Sequence, residues 1–132
     1  MHCISIFIIN KDELRESKID SIIEDKELPD IKWVELPQNI LATTYIPNIK
    51  KFGKNKTIGR ISTDYFGGFG HQSAKLFVNN EKVFDFSSEF VGHKFKSSPI
   101  NGMLKILGIV KNEGKDEFDS INLGNYRCNE DF

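Results

Sequence analysis

The stretch AKLFVNNEKVFDF, residues 74–86, decides the fold. Ala74-Lys75-Leu76-Phe77-Val78 reads as a strand, and Val83-Phe84-Asp85-Phe86 reads as its return. Between them, Asn79-Asn80 is a pair that tolerates positive φ, the requirement of a two-residue hairpin turn. Upstream, Thr57-Ile58-Gly59-Arg60-Ile61-Ser62-Thr63 alternates towards a glycine-rich stretch, so a third strand joins the same antiparallel meander. The N-terminal run HCISIFII, bounded by Asn10, is apolar and β-branched, and it predicts a buried central strand that begins the sheet.

Helices fill the intervals. NKDELRESKIDSIIEDKEL, residues 10–28, carries acids in its first turn and places Leu14, Ile19, Ile22 and Ile23 where they share one face, so an amphipathic helix is expected. Pro29 ends it, and Ile31 to Leu36 alternates as a strand before Pro37. A short strand is expected around Thr43 to Ile46, with an exposed connection through Pro47 and the lysines. A second helix follows: Ser98 caps, Pro99 suits the first position, Ile100, Met103, Leu104 and Leu107 form one stripe, and Gly108 ends it. KDEFDSINLG adds a helical turn, and the polar tail NYRCNEDF is expected to be exposed. The sum is an α+β fold in a single domain over residues 1–132, a mainly antiparallel sheet with two packed helices.

Composition removes several function classes. The chain has 132 residues, 39% hydrophobic and 28% charged, which suits a globular protein with its own core. A net charge of -1 argues against a dedicated nucleic-acid binder. Its charges are segregated. Lys50, Lys51, Lys54, Lys56 and Arg60 form a basic run, while Glu113, Asp116, Glu117, Asp119, Glu130 and Asp131 make the C-terminal part acidic. Cys3 and Cys128 are too few and too distant in sequence for a metal knuckle, and His2 and His93 have no carboxylate spaced for a helical metal pair, so neither metal nor cofactor is expected. No leader and no membrane-length apolar stretch is seen, and a cytoplasmic location is the expectation.

TDYFGGFGHQSAKLF, residues 63–77, is the candidate site. Its glycines are followed by a strand, whereas a phosphate cradle needs a helix there, so phosphate binding is disfavoured. For nucleophilic catalysis it offers His71 as a base, Asp64 as an orienting acid and Ser62, Thr63, Tyr65 and Ser73 as hydroxyls, provided the fold gathers them. As a plain structural element it is a bulged or wide hairpin. As a recognition element, Tyr65, Phe66 and Phe69 beside Asp64, His71 and Gln72 have the composition of an interface anchor.

Together with SSPINGMLKILGI, residues 97–109, and DEFDSINLGNYR, residues 116–127, this segment resembles immunity proteins of bacterial polymorphic-toxin and contact-dependent growth-inhibition systems. The likeness spans residues 57–132. It implies a binding protein without chemistry, held in the producing cell, that occludes the active site of a cognate toxin, often a nuclease with a basic cleft. Asp116, Glu117 and Asp119 would then meet the basic partner, with an aromatic such as Phe69 or Tyr65 as anchor, and the lysine run would face away. A small hydrolase or transferase using His71 and Asp64 is the rival expectation, and exposed aromatics would equally suit a homodimer.

Overall fold

The computed structural model describes residues 2–14, 31–66, 69–91 and 99–132. Six strands form one antiparallel sheet: β1 (His2–Asn10), β2 (Val34–Leu36), β3 (Ile40–Thr43), β4 (Thr57–Phe66), β5 (Phe69–Val78) and β6 (Glu81–Val91), in the spatial order β2-β3-β1-β4-β5-β6. Among the described residues it is accompanied by helices α1 (Ile49–Phe52), α2 (Pro99–Ile106) and α3 (Glu117–Ser120), with short 3-10 turns at Leu123–Asn125 and Asn129–Asp131. The protein is therefore α+β, as its sequence pattern requires. The helix expected over residues 10–28 lies largely outside the described residues, as does the cap expected from Ser98.

The β5–β6 hairpin turns on Asn79 (φ 50°) and Asn80 (φ 66°), both in the left-handed region that asparagine tolerates. Its ladder shifts between Leu76, opposite Phe84, and Phe77, opposite Lys82, which makes Val83 a bulge. The β4–β5 hairpin differs from the bulged or wide hairpin expected, because its register runs unbroken from Thr57 opposite Val78 to Phe66 opposite Phe69. β3 also begins earlier than its sequence suggests. Gln38 (φ 62°) and Asn39 (φ 64°) make the left-handed turn that starts it, and glutamine is not a usual turn residue. The Gln38 amide has a second role that holds it there: Nε2 donates to the Val110 carbonyl at 2.7 Å and Oε1 accepts from the Val110 amide at 2.8 Å.

Alternation sends Ile4, Ile6, Ile8, Ile61, Ala74 and Leu76 to one face, where they are buried under Ile100, Met103 and Leu104 of α2 together with Ile121 and Leu123. Gly59 lies in this layer because a Cβ there would stand 2.9 Å from Ile8 Cγ1 and 3.0 Å from Met103 Cε. At the C-terminus of α2, Gly108 (φ 92°) turns the chain so that its amide reaches the Lys105 carbonyl and the Ile109 amide reaches the Leu104 carbonyl. Those two bonds satisfy carbonyls that would otherwise be orphaned at the helix end. The opposite face carries a smaller cluster, Ile9, Leu41, Ile46, Phe52 and Ile58, with Phe7, Leu14, Ile31 and Trp33 against it.

The polar residues of the C-terminal segment are exposed, as expected, yet the segment is docked on the sheet. β3 pairs with β1 only from Phe7 to Asn10, so the rest of that edge of β1 needs other partners. The tail supplies them: the Cys3 amide donates to the Arg127 carbonyl at 2.7 Å and the Ser5 amide to Asn129 Oδ1 at 2.9 Å. Cys3 and Cys128, distant in sequence, become parallel bridge partners, both as free thiols. Tyr126 and Phe132 stack at 4.4 Å and pack on the main core, so aromatic burial holds the tail in place as well.

Candidate functional site

Among the described residues, the sheet face opposite α2 carries an apolar cluster at one end only. Beyond Phe7 its outward residues are short or polar, so they present little apolar area. Register aligns them in rows across four strands. Ser5, Ser62, Ser73 and Ser87 are successive cross-strand partners, flanked on one side by Cys3, Asp64 and His71 and on the other by Phe7, Arg60, Lys75 and Asp85. Cys3, Asp64, His71, Asp85 and Ser87 are exposed, and the others are partly so.

Polar contacts fix this surface. Arg60 lays its guanidinium over the Phe7 ring at 4.3 Å and donates from Nη2 to Ser5 Oγ at 2.6 Å. Ser5 and Ser62 share a hydroxyl contact at 3.3 Å. Partial burial pulls the Arg60 pKa below its ordinary value, yet a guanidinium remains a cation in a protein. Asp85 is ion-paired to Lys82 at 2.8 Å, and that hydrogen bond, with further attraction from Lys82 and Lys75, holds its pKa below the usual value. The result is a mosaic of hydroxyls with both charge signs at its borders.

The nine residues singled out in the sequence separate into groups. Asp64 and His71 are directly opposite each other across β4–β5, and both are exposed. Tyr65, Phe66 and Phe69 continue the same two strands, with Tyr65 opposite Gly70. Gln72 faces the other way and is buried; its Oε1 accepts from the Ile100 amide at 3.1 Å, tying the start of α2 to the sheet. Asp116 caps α3, accepting from the Asp119 amide at 2.8 Å and from Asn101 Nδ2 at 3.0 Å. Glu117 is also buried, 3.8 Å from Lys105 Nζ, with Oε1 lacking a hydrogen bond. Gln72 and Glu117 therefore serve the interior, where the sequence reading put them on a docking surface, because strand parity and the α3 cap turn them inward. Asp119 is exposed.

The serine row was missed because its members are far apart in sequence and become one feature only through register. Period-2 reading around Ile61 does hold a trace of it: with Ile61 inward, Arg60, Ser62 and Asp64 must point outward together.

Chemically, the contacts of this surface do not assemble a triad. No hydrogen bond or ion pair joins Asp64 to His71, and the hydroxyl of Ser62 is shared with Ser5 instead. Among the described residues no group of three or more His, Cys, Asp and Glu side chains is placed to hold a metal. A cleft of about 330 Å³, lined by Asn10, Asp12, Glu13, Thr57, Ile106 and Leu107, opens near the start of β4. Asp64 is seven residues along that strand from Thr57, which is about 23 Å at the strand rise. The exposed Lys50, Lys51 and Lys54 lie just before β4, whereas Glu130 and Asp131 lie beside Cys3 at the Asp64 end, so these lysines and these two acids fall at opposite ends of the sheet. Among the described residues no helix is long and apolar enough to cross a membrane. Compared with known proteins, the chain stands by its own geometry: no family model matches it, and no curated protein or solved structure does.

Proposed function

We propose that this protein is an inhibitor of the immunity type, binding a cognate bacterial toxin domain through the serine row of the sheet and blocking the toxin's active site. The observation that carries the reading is the cross-strand row of exposed and half-exposed serines flanked by Asp64. Such a surface spreads across four strands, is held by β-ladders and is bordered by charge, which fits the area and polarity of a protein partner. The Asp64, Glu130 and Asp131 end supplies the acidic side for a basic toxin, a nuclease being the expected kind, and the lysines point their charge elsewhere. Acting by occlusion, the protein needs no cofactor and would work in the cytoplasm of the producing cell.

Co-expression with the toxin domain encoded beside its gene tests this. Cells are expected to survive only with this protein present, and the two chains to co-purify as an inactive complex. Ser62→Arg, which projects a long cation from the middle of the row, should abolish the complex while the fold persists; retained inhibition by that variant moves the interface off this face. The cross-strand pairing of Asp64 with His71 gives a second reading, a small hydrolase or transferase. His71→Ala separates the two, because it abolishes an enzyme's activity but removes only part of an inhibitor's affinity.

A further inference from the structure

The two edges of the sheet are unlike. β2 is three residues long, whereas β6 runs for eleven, Glu81–Val91, and among the described residues no backbone bond reaches its outer side. A long unpaired edge is a template for another strand, and proteins usually guard it with charges, bulges or prolines. β6 is guarded in its first part, by the bulge at Val83 and the Lys82–Asp85 ion pair. From Phe86 to Ser88 the strand carries neither charge nor bulge, and the next charge is Glu89. Phe86, 60% exposed, projects from the α2-side face next to Phe84, with ring centroids 4.8 Å apart.

We infer that β6 pairs antiparallel with β6 of a second copy of this chain about a twofold axis at Phe86, joining two six-stranded sheets into one. The sequence of the strand selects both the occupant and the register. In antiparallel self-pairing, residues equidistant from the axis face each other on the same side of the sheet. An axis at Phe86 sets Phe86 against its own copy, Asp85 against Ser87 and Phe84 against Ser88, so no like charges meet. An axis at Asp85 opposes two carboxylates, one at Phe84 runs into the Val83 bulge, one at Ser87 leaves Phe86 facing Ser88 without an aromatic partner, and one at Ser88 pairs Phe86 with Phe90 but carries Phe84 past the end of the partner strand. Only the Phe86 axis gathers Phe84 and Phe86 of both copies into one cluster, since diagonal neighbours across strands are within reach of aromatic rings. The pairing leaves the serine row open, because the phenylalanines lie on the opposite face, and it does not depend on the toxin-binding reading.

Sedimentation of the full chain over a dilution series, beside two variants, tests the inference. The natural chain is expected as a dimer that dissociates on dilution, Phe86→Glu and Phe86→Lys each as monomers with unchanged circular dichroism, and their equimolar mixture as a dimer again. The exposure of Phe86 makes both variants compatible with folding. A natural chain that stays monomeric at every concentration overturns the inference, as does a Phe86→Glu variant that remains dimeric. A mixture that fails to re-associate overturns the register. β6 amides that gain exchange protection only when a different protein is added assign the edge to that protein and overturn self-pairing.

Discussion

The two faces of this sheet are made by the same strands, yet among the described residues one carries apolar side chains along its length and the other only at its lysine end. On the α2 side every central position of β1, β4 and β5 carries an isoleucine, leucine, alanine or the close-packed Gly59, with the buried hydroxyl of Thr63 and amide of Gln72 near one end. On the other side the large apolar residues stop at Phe7 and Ile58, and serines take over. Because successive residues of a strand alternate between faces, neighbours in sequence belong to environments of opposite character. Ile61 is fully buried, and Ser62 beside it is part of the serine row. Apolar character is therefore set row by row.

The largest expected effect tests that contrast directly. Ile61→Ala should destabilise the protein by about 2–5 kcal/mol, the usual range for emptying a core site that cannot collapse. Ser62→Ala, one residue away, should stay within about 0.5 kcal/mol, as surface substitutions do. Urea unfolding of both variants measures the difference, and comparable losses would show that the serine face contributes to stability as the apolar one does.

Next in size is Gly59→Ala, expected to cost about 1–3 kcal/mol through overpacking. The added Cβ would press on Ile8 Cγ1 and on the flexible end of Met103 at 2.9 and 3.0 Å. Since Met103 is one of the two obstacles, the double variant Gly59→Ala with Met103→Ala should lose less than the sum of the single losses. Strict additivity in the denaturation data would mean that the glycine is required for some reason other than helix contact. Gln72→Met belongs to the same range, about 1–3 kcal/mol, because it leaves the Ile100 amide buried without an acceptor. Its effect should come with faster amide exchange in the first turn of α2, and unchanged exchange there would separate Gln72 from the helix.

Most of the fold could be read from local pattern. The asparagine turn, the central position of β1, the α2 stripe and the glycine stop at Gly108 each depend on residues within one short window, where propensity and alternation act. What escaped was set by distant partners. Gln38 makes its turn while clamping Val110, Gln72 supplies an acceptor to α2 from the middle of a strand, and the tail completes an edge of β1 that β3 leaves bare. The candidate site divides in the same way. Asp64 and His71 were visible as neighbours across a turn, whereas the serine row exists only through the register of four strands.

The smallest effect concerns the tail, and it is a matter of pH. Asp131 accepts from the Arg127 amide at 2.8 Å and from the Cys128 amide at 3.2 Å, and these bonds hold its pKa below the ordinary 3.8. A carboxylate with a lowered folded-state pKa stabilises the folded form above its unfolded value, and that contribution is lost as pH falls through the folded value. The tail should therefore loosen below the ordinary 3.8, ahead of the core, whose burial has no titrating group to lose at Ile4, Ile6 or Ile61. Exchange corrected for intrinsic rates reads it out: the Cys3 amide, which donates to Arg127, should lose protection while the β4 amides keep theirs. Asp131→Asn retains an acceptor oxygen but cannot titrate, so its Cys3 protection should be weaker at neutral pH and flat through the acid range. If the natural chain is also flat, Tyr126–Phe132 stacking holds the tail without help from the carboxylate.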